Sequence, residues 1–208
     1  MLERHGHTFA QELRIDVVKG TPSPLFRLLV ASILLSARIG HRLAVDAARA
    51  LFEQGWTTAR KLDDTTWDQR VRVLNRAGYA RYDERTASML GDTCAILLER
   101  YRGDLRRLRE EAERDPARER ALIKQFKGIG DVGVDIFFRE AQVAWDELRP
   151  FADRRALDAA RRLGLDADAR GLERLVGGDA RTLARLIAAL VRVQLERDFD
   201  AVREQASR

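Results

Sequence analysis

Apolar positions recur along most of the chain at three- and four-residue spacing, the period that lays one hydrophobic stripe along an α-helix. The pattern predicts helices over 8–18, 25–37, 42–52, 67–75, 83–101 and 117–126, another reaching about residue 142, and two more over 154–163 and 179–196. Between 25 and 37 the apolar residues run almost without interruption (Leu28, Leu29, Val30, Ile33, Leu34, Leu35). That density is too high for a surface helix and assigns the segment to the centre of a core. The 179–196 pattern puts Leu183, Leu186, Ile187, Leu190 and Val193 on one stripe and should close a second core. Gly55, Gly78 and Gly103 punctuate the connecting loops, and Gly164 reads as a helix C-cap. Thr21-Pro22-Ser23-Pro24 reads as a turn, a helix start and a lobe boundary. The mixed charges over 107–120 read as a solvated helix face, and no internal repeat or low-complexity run is present.

With 208 residues, 45% of them hydrophobic, the chain can bury a substantial core. Only 4 Pro and 14 Gly interrupt stretches rich in Ala, Leu, Arg and Glu, so the fold class is all-α. The balance of 38 Lys+Arg against 33 Asp+Glu gives a net charge of +5, which permits attraction to a polyanion without demonstrating it. Lysines are confined to Lys19, Lys61, Lys124 and Lys127, so the basic residues are mostly arginines, which can fork onto phosphate oxygens. The single cysteine, Cys94, excludes an internal disulfide and any zinc or iron–sulfur site built on several thiolates. It sits in an apolar stripe with no histidine near it in sequence and reads as a core residue. His5 and His7, without supporting ligands, read as solvent-exposed, and no metal is expected. The N-terminus lacks the apolar core of a signal peptide and no segment reaches membrane-spanning length, so a soluble cytoplasmic protein is expected.

Phe126-Lys127-Gly128-Ile129-Gly130 lies between two helical patterns and reads as a helix–hairpin–helix. Paired glycines permit positive φ and close approach of another chain, and the N–H groups opening the second helix form an anion site that grips a phosphate without reading sequence. Gly128, Gly130 and Gly133 also satisfy the G-x-G-x-x-G spacing of a dinucleotide fold, but that fingerprint needs a preceding buried strand, whereas 117–126 has a helical period and four charges. A plain C-cap and turn is the alternative without a ligand.

The sequence resembles the endonuclease III branch of the helix-hairpin-helix DNA glycosylases over roughly residues 24–164. Residues 28–38 (LLVASILLSAR) resemble the family's early core helix with its "LLSAQ" ending. Residues 77–79 through 94–99 resemble the stretch ending in "ILLE", the hairpin resembles "LPGVG", and residues 150–163 resemble the loop and helix that hold the family's aspartate. The resemblance implies a six-helix barrel lobe over 22–137 that includes the hairpin, a second helical lobe of 1–21 plus 138–208, and double-stranded DNA, lesion-containing, across the cleft between them. It assigns Asp153 as the catalytic carboxylate for cleaving the glycosidic bond of an extruded nucleotide, by stabilising an oxocarbenium-like sugar or orienting a water. Asp153 also suits the N-cap of the helix that follows, and the two roles are compatible.

Four features depart from the family pattern. Bifunctional members carry a nucleophilic lysine two residues after the second hairpin glycine; here that residue is Val132, so Schiff-base lyase chemistry would need Lys124 or Lys127. Lys127 stands at the hairpin's usual proline position and suits a phosphate contact. No cysteine follows residue 196, so the iron–sulfur cluster of many members is expected to be absent and no cofactor is required. The family's gap-filling Gln is replaced by Arg38, which could wedge into the duplex, stack on the orphan base, or form a salt bridge. The DNA-facing set is then Arg38, His41 and Arg42, the hairpin and helix start from Lys127 through Gly128, Ile129, Gly130, Asp131, Val132 and Gly133, and Arg154 and Arg155. Trp145 and Phe151 either line a base pocket or pack between lobes. These readings lead to a monofunctional glycosylase of base-excision repair, monomeric and nucleoid-associated, or else to a non-catalytic DNA-binding module on the same scaffold, a possibility raised by Val132 and by Arg154-Arg155 after the aspartate.

Overall fold

The computed structural model describes residues 1–206, with side chains to residue 204, and among these residues there are helices and no strand. In chain order the helices are α1 (Leu2–His5), α2 (Phe9–Glu12), α3 (Pro22–Leu35), α4 (His41–Glu53), α5 (Ala59–Asp63), α6 (Trp67–Arg76), α7 (Asp83–Tyr101), α8 (Leu105–Glu111), α9 (Pro116–Ile123), α10 (Asp131–Ala141), α11 (Arg154–Arg162), α12 (Ala169–Leu175), α13 (Ala180–Glu196) and α14 (Phe199–Ala206). No helix among the described residues is long and apolar enough to cross a membrane.

The chain divides into two compact units, Leu13–Phe137 and Met1–Glu12 with Phe138–Arg208. The larger is organised on α3, whose Leu25, Phe26, Leu28, Leu29, Val30, Ile33 and Leu34 are all buried, as the unbroken apolar run requires. Against it lie α4 and α8, while α7 packs on α5, α6 and α8. Local signals set the helix starts. Thr66 and Gln69 form a capping box at α6, and Asp104 and Asp115 accept backbone N–H bonds at α8 and α9. The charged stretch over 107–120 is not one helix but α8 and α9, separated by Glu113 and Arg114 at positive φ.

The smaller unit is built on α13, which packs against α1, α11 and α12 and buries Leu183, Leu186, Ile187, Leu190 and Val193 in a core shared with Ala156, Ala159, Ala160 and Leu172. Gly164 ends α11 with φ 75.

The helix expected over 8–18 is broken. Only Phe9–Glu12 is α-helical, Arg14 takes φ 54, and a 3-10 turn covers Val17–Lys19. Residues 13–21 accordingly belong to the larger unit, not to the 1–21 segment assigned to the second lobe. The reason is specific: Arg27 of α3 donates to the Leu13 carbonyl at 2.8 Å and the Arg14 carbonyl at 3.3 Å, and Leu13, Ile15 and Val17 are buried. Tertiary burial of those three side chains outweighs the helical periodicity they helped to create.

Candidate functional site

The hairpin occupies residues 124–130, between α9 and α10. Phe126 and Ile129 are buried and anchor it, while Lys127, Gly128 and Gly130 are exposed. The two glycines do different work. Gly128 takes φ +85, and a Cβ there would lie 2.7 Å from Met89 Sδ and 3.3 Å from Ile33 Cγ2. Gly130 is not in the left-handed region, and a Cβ on it would meet nothing within 4 Å. Conformation requires glycine only at 128; at 130 the missing side chain leaves backbone open to an approaching group. Gly128→Ala should therefore cost about 2 kcal/mol from the left-handed backbone and the Met89 contact, while Gly130→Ala should leave the melting temperature unchanged. Thermal unfolding of both variants checks the contrast.

Beyond the hairpin, α10 opens with amides that have no intrahelical partner. Val132 is 54% exposed in this first turn, whereas Gly133 is buried, with its Cβ position 3.3 Å from Ile129 Cγ2. Ile129 and Gly133 thus serve packing and can offer an outside ligand at most backbone atoms. Asp131 is ion-paired with Lys124 at 2.7 Å and lies 3.8 Å from Arg120; the Lys124 ammonium holds its carboxyl below the ordinary range. Its charge opposes a phosphate at this helix end, so Asp131 contributes there only through its N–H.

Beside the hairpin, the Ser36 hydroxyl reaches the Gly128 carbonyl at 3.5 Å and Thr93 donates to the Lys127 carbonyl at 3.3 Å. These contacts bring the end of α3, α7 and the hairpin around a cavity of about 430 Å³ lined by Ile33, Ser36, Arg38, Tyr82, Arg85 and Gly128, among others. Arg38 and Arg85 are both exposed and have no acidic partner among the described residues. Two unopposed guanidinium groups and an aromatic ring make this mouth suited to a polyanion carrying planar bases. Arg42 is exposed and His41 half-buried at the start of α4.

In the smaller unit, Asp153 caps α11. Its Oδ1 accepts the Ala156 N–H at 3.0 Å, and its Oδ2 lies 3.6 Å from Nε of the buried Arg139. The loop before it is clamped by Gln142, which donates to the Phe151 carbonyl and accepts the Phe151 N–H, each at 3.0 Å. Phe138 stacks edge-on to Phe151 with centroids 5.5 Å apart. Arg154 and Arg155 follow on the exposed face of α11. Trp145, read from sequence as either lining a base pocket or packing between lobes, is fully buried: the turn closing α10, with the Trp145 backbone N–H on the Ala141 carbonyl, folds the indole inward.

No protein-family profile and no curated protein sequence matches the chain. Among solved structures, two endonuclease III–DNA complexes, a trapped covalent intermediate with an estranged adenine and a non-covalent complex, align with TM-scores of 0.48 and 0.49. Each is 17% identical, over 79% of this chain and 71% of the other. The 3-methyladenine DNA glycosylase MagIII of H. pylori, bound to 1,N6-ethenoadenine, aligns with a TM-score of 0.56 and 14% identity over 92% of this chain and 99% of its own. The fold is that of the helix-hairpin-helix DNA glycosylases.

Within this glycosylase fold, several side chains matter that sequence reasoning passed over. Arg139 and Gln142 lie in the last turn of α10 and just past it, beside Phe138 and Ala141, and both are buried, which no local feature of the sequence marks. Arg85 was hidden in the regular pattern of α7. Cys94 is a core residue as expected, with burial pushing its thiol up to about 12. His5 corrects the opposite expectation: it is 2% exposed, with Nε2 2.8 Å from Asp198 and Nδ1 3.6 Å from Glu196, because it joins α1 to the end of α13. Among the described residues no group of three or more His, Cys, Asp or Glu side chains is arranged to hold a metal.

Proposed function

We propose that this protein is a monofunctional DNA glycosylase that hydrolyses the N-glycosidic bond of a damaged or mispaired base in double-stranded DNA. The observation that carries this reading is Asp153, a half-buried carboxylate that caps α11 and lies 3.6 Å from the Arg139 guanidinium, at the position where the sequence resembles the glycosylase aspartate. The exposed hairpin backbone at Gly130 and the unopposed Arg38 supply phosphate contacts that fix register without reading sequence. With a base extruded, the Asp153 carboxylate stabilises positive charge developing on the sugar while water displaces the base. Val132 carries no amine at the lyase position, and the Lys124 ammonium is ion-paired with Asp131, which leaves the exposed Lys127 as the hairpin amine that borohydride trapping must examine.

The test is base release from duplexes bearing uracil, oxidised pyrimidines, alkylated purines or mismatches, revealed by alkali, with borohydride trapping in parallel. Ethenoadenine belongs in the panel because the H. pylori enzyme was captured with it. The expected result is alkali-dependent cleavage of at least one duplex and no trapped adduct. A trapped adduct would make the protein a lyase. No release from any duplex, with salt-sensitive binding retained, would leave the non-catalytic DNA-binding reading. In either case, Gly130→Ala and Arg38→Ala should weaken DNA binding without destabilising the fold, and Arg38→Ala should flatten the dependence of log Kd on log salt concentration by roughly one phosphate contact. Fluorescence anisotropy across salt concentrations measures both.

A further inference from the structure

The contacts around Asp153 exceed what a helix cap needs. An N-cap asks for one acceptor oxygen, which Ser, Thr or Asn would supply as well as Asp. Here the second carboxylate oxygen faces a guanidinium only 7% exposed, on a helix whose neighbouring residues, Ile136, Phe137, Phe138 and Ala141, are buried and apolar. Burying an ion pair is a poor way to gain stability, since removing two charges from water costs about what their attraction returns and apolar replacements are often neutral or better. The same short stretch of α10 also fixes the backbone leading to the aspartate: Gln142, fully buried, bonds the Arg139 carbonyl at 2.9 Å and both polar groups of Phe151. One helix end thus holds the loop by its backbone and Asp153 by its carboxylate.

Resting on the glycosylase reading, we propose that Arg139 is a positioning residue: it holds the Asp153 carboxylate in a single orientation, Oδ1 bonded to the α11 amide and Oδ2 drawn by charge to the guanidinium 3.6 Å away, so that its charge is preorganised for the developing sugar cation. A carboxylate already in place need not reorganise during the reaction, and that difference appears in the rate of the chemical step rather than in DNA affinity.

Arg139→Met and Arg139→Lys, compared with wild type, test this. The expected result for Arg139→Met is a single-turnover base-release rate about 10- to 100-fold lower with DNA Kd within about twofold, and Arg139→Lys should recover most of that rate. Hydrogen exchange gives a readout independent of activity: the Ala156 amide, bonded to Asp153 Oδ1, should exchange at least about tenfold faster in Arg139→Met while amides deeper in α11 are unchanged. A folded Arg139→Met with the wild-type rate, or with unchanged Ala156 exchange, overturns the proposal. So does a rate loss that Arg139→Lys fails to restore although it folds. If wild type releases no base from any duplex, the glycosylase reading fails on its own, and the Ala156 amide still decides whether Arg139 positions the aspartate.

Discussion

Replacing Asp153 by Asn should lower the rate of base release at least about 100-fold while leaving DNA affinity unchanged or slightly higher. Asn keeps the N-cap, since its side-chain oxygen can still accept the Ala156 N–H that Asp153 takes at 3.0 Å. What it removes is the negative charge that would face the sugar. It also leaves the buried Arg139 guanidinium without its carboxylate, which should lower stability by about 3 kcal/mol. For a chain of this size that corresponds to a fall in Tm of roughly 6–12 °C. The assay therefore belongs at a temperature where circular dichroism shows the variant folded. A folded variant with wild-type base release would reduce Asp153 to its capping role.

The largest stability loss is expected at Glu140, outside the DNA-facing set. Its carboxylate is buried and accepts the Phe9 N–H at 2.9 Å and the Ala10 N–H at 3.2 Å, holding the start of α2 to α10. Glu140→Ala leaves two buried backbone donors unbonded at roughly 1–3 kcal/mol each, so a loss of about 4 kcal/mol is expected in urea unfolding. Glu140→Gln should lose less, because one amide oxygen can still accept one of the two bonds. Burial holds the Glu140 carboxyl above the usual carboxylate range, against the pull of its hydrogen bonds and of Arg139. The folded state therefore binds this proton more tightly than the unfolded one. The resulting stabilisation is fully present below about pH 4, the ordinary glutamate range, and is lost as the pH rises through the folded-state value. The stability advantage of wild type over Glu140→Gln should accordingly shrink with rising pH, and an advantage that grows would show the carboxyl to be depressed instead.

Both residues sit in segments of contrasting legibility. The helix α7 was readable to its ends, Asp83–Tyr101, because a long amphipathic stripe leaves little choice of structure. The hairpin was readable from Gly128 and Gly130, although their separate roles were not, since φ and the open space beside a Cα are properties of the folded backbone. The short helices α5 and α12 were missed, as one or two turns carry too few residues to show a period. Asp153 was found by resemblance to a motif, and its capping role by position before a helix. Arg139 has neither kind of signal. Nothing local in sequence tells a guanidinium in α10 that it will face a carboxylate fourteen residues later.

Periodicity, composition and the glycine-marked hairpin determined from sequence alone that the chain is all-helical, that 25–37 lies in a core and 179–196 closes another, and that the hairpin is a place to seek a ligand; Asp153 was added only by resemblance to a family motif. These are short-range properties, set by side-chain sequence within a few turns. Tertiary structure alone decided that residues 13–21 join the larger unit, that Trp145 and His5 are buried, that Arg38 and Arg85 share one cavity without acidic partners, and that Arg139 holds Asp153. Each depends on which distant groups are brought within a few ångströms and which are removed from water. Burial and pairing energies of that kind exceed the small local preferences by which a sequence can be read.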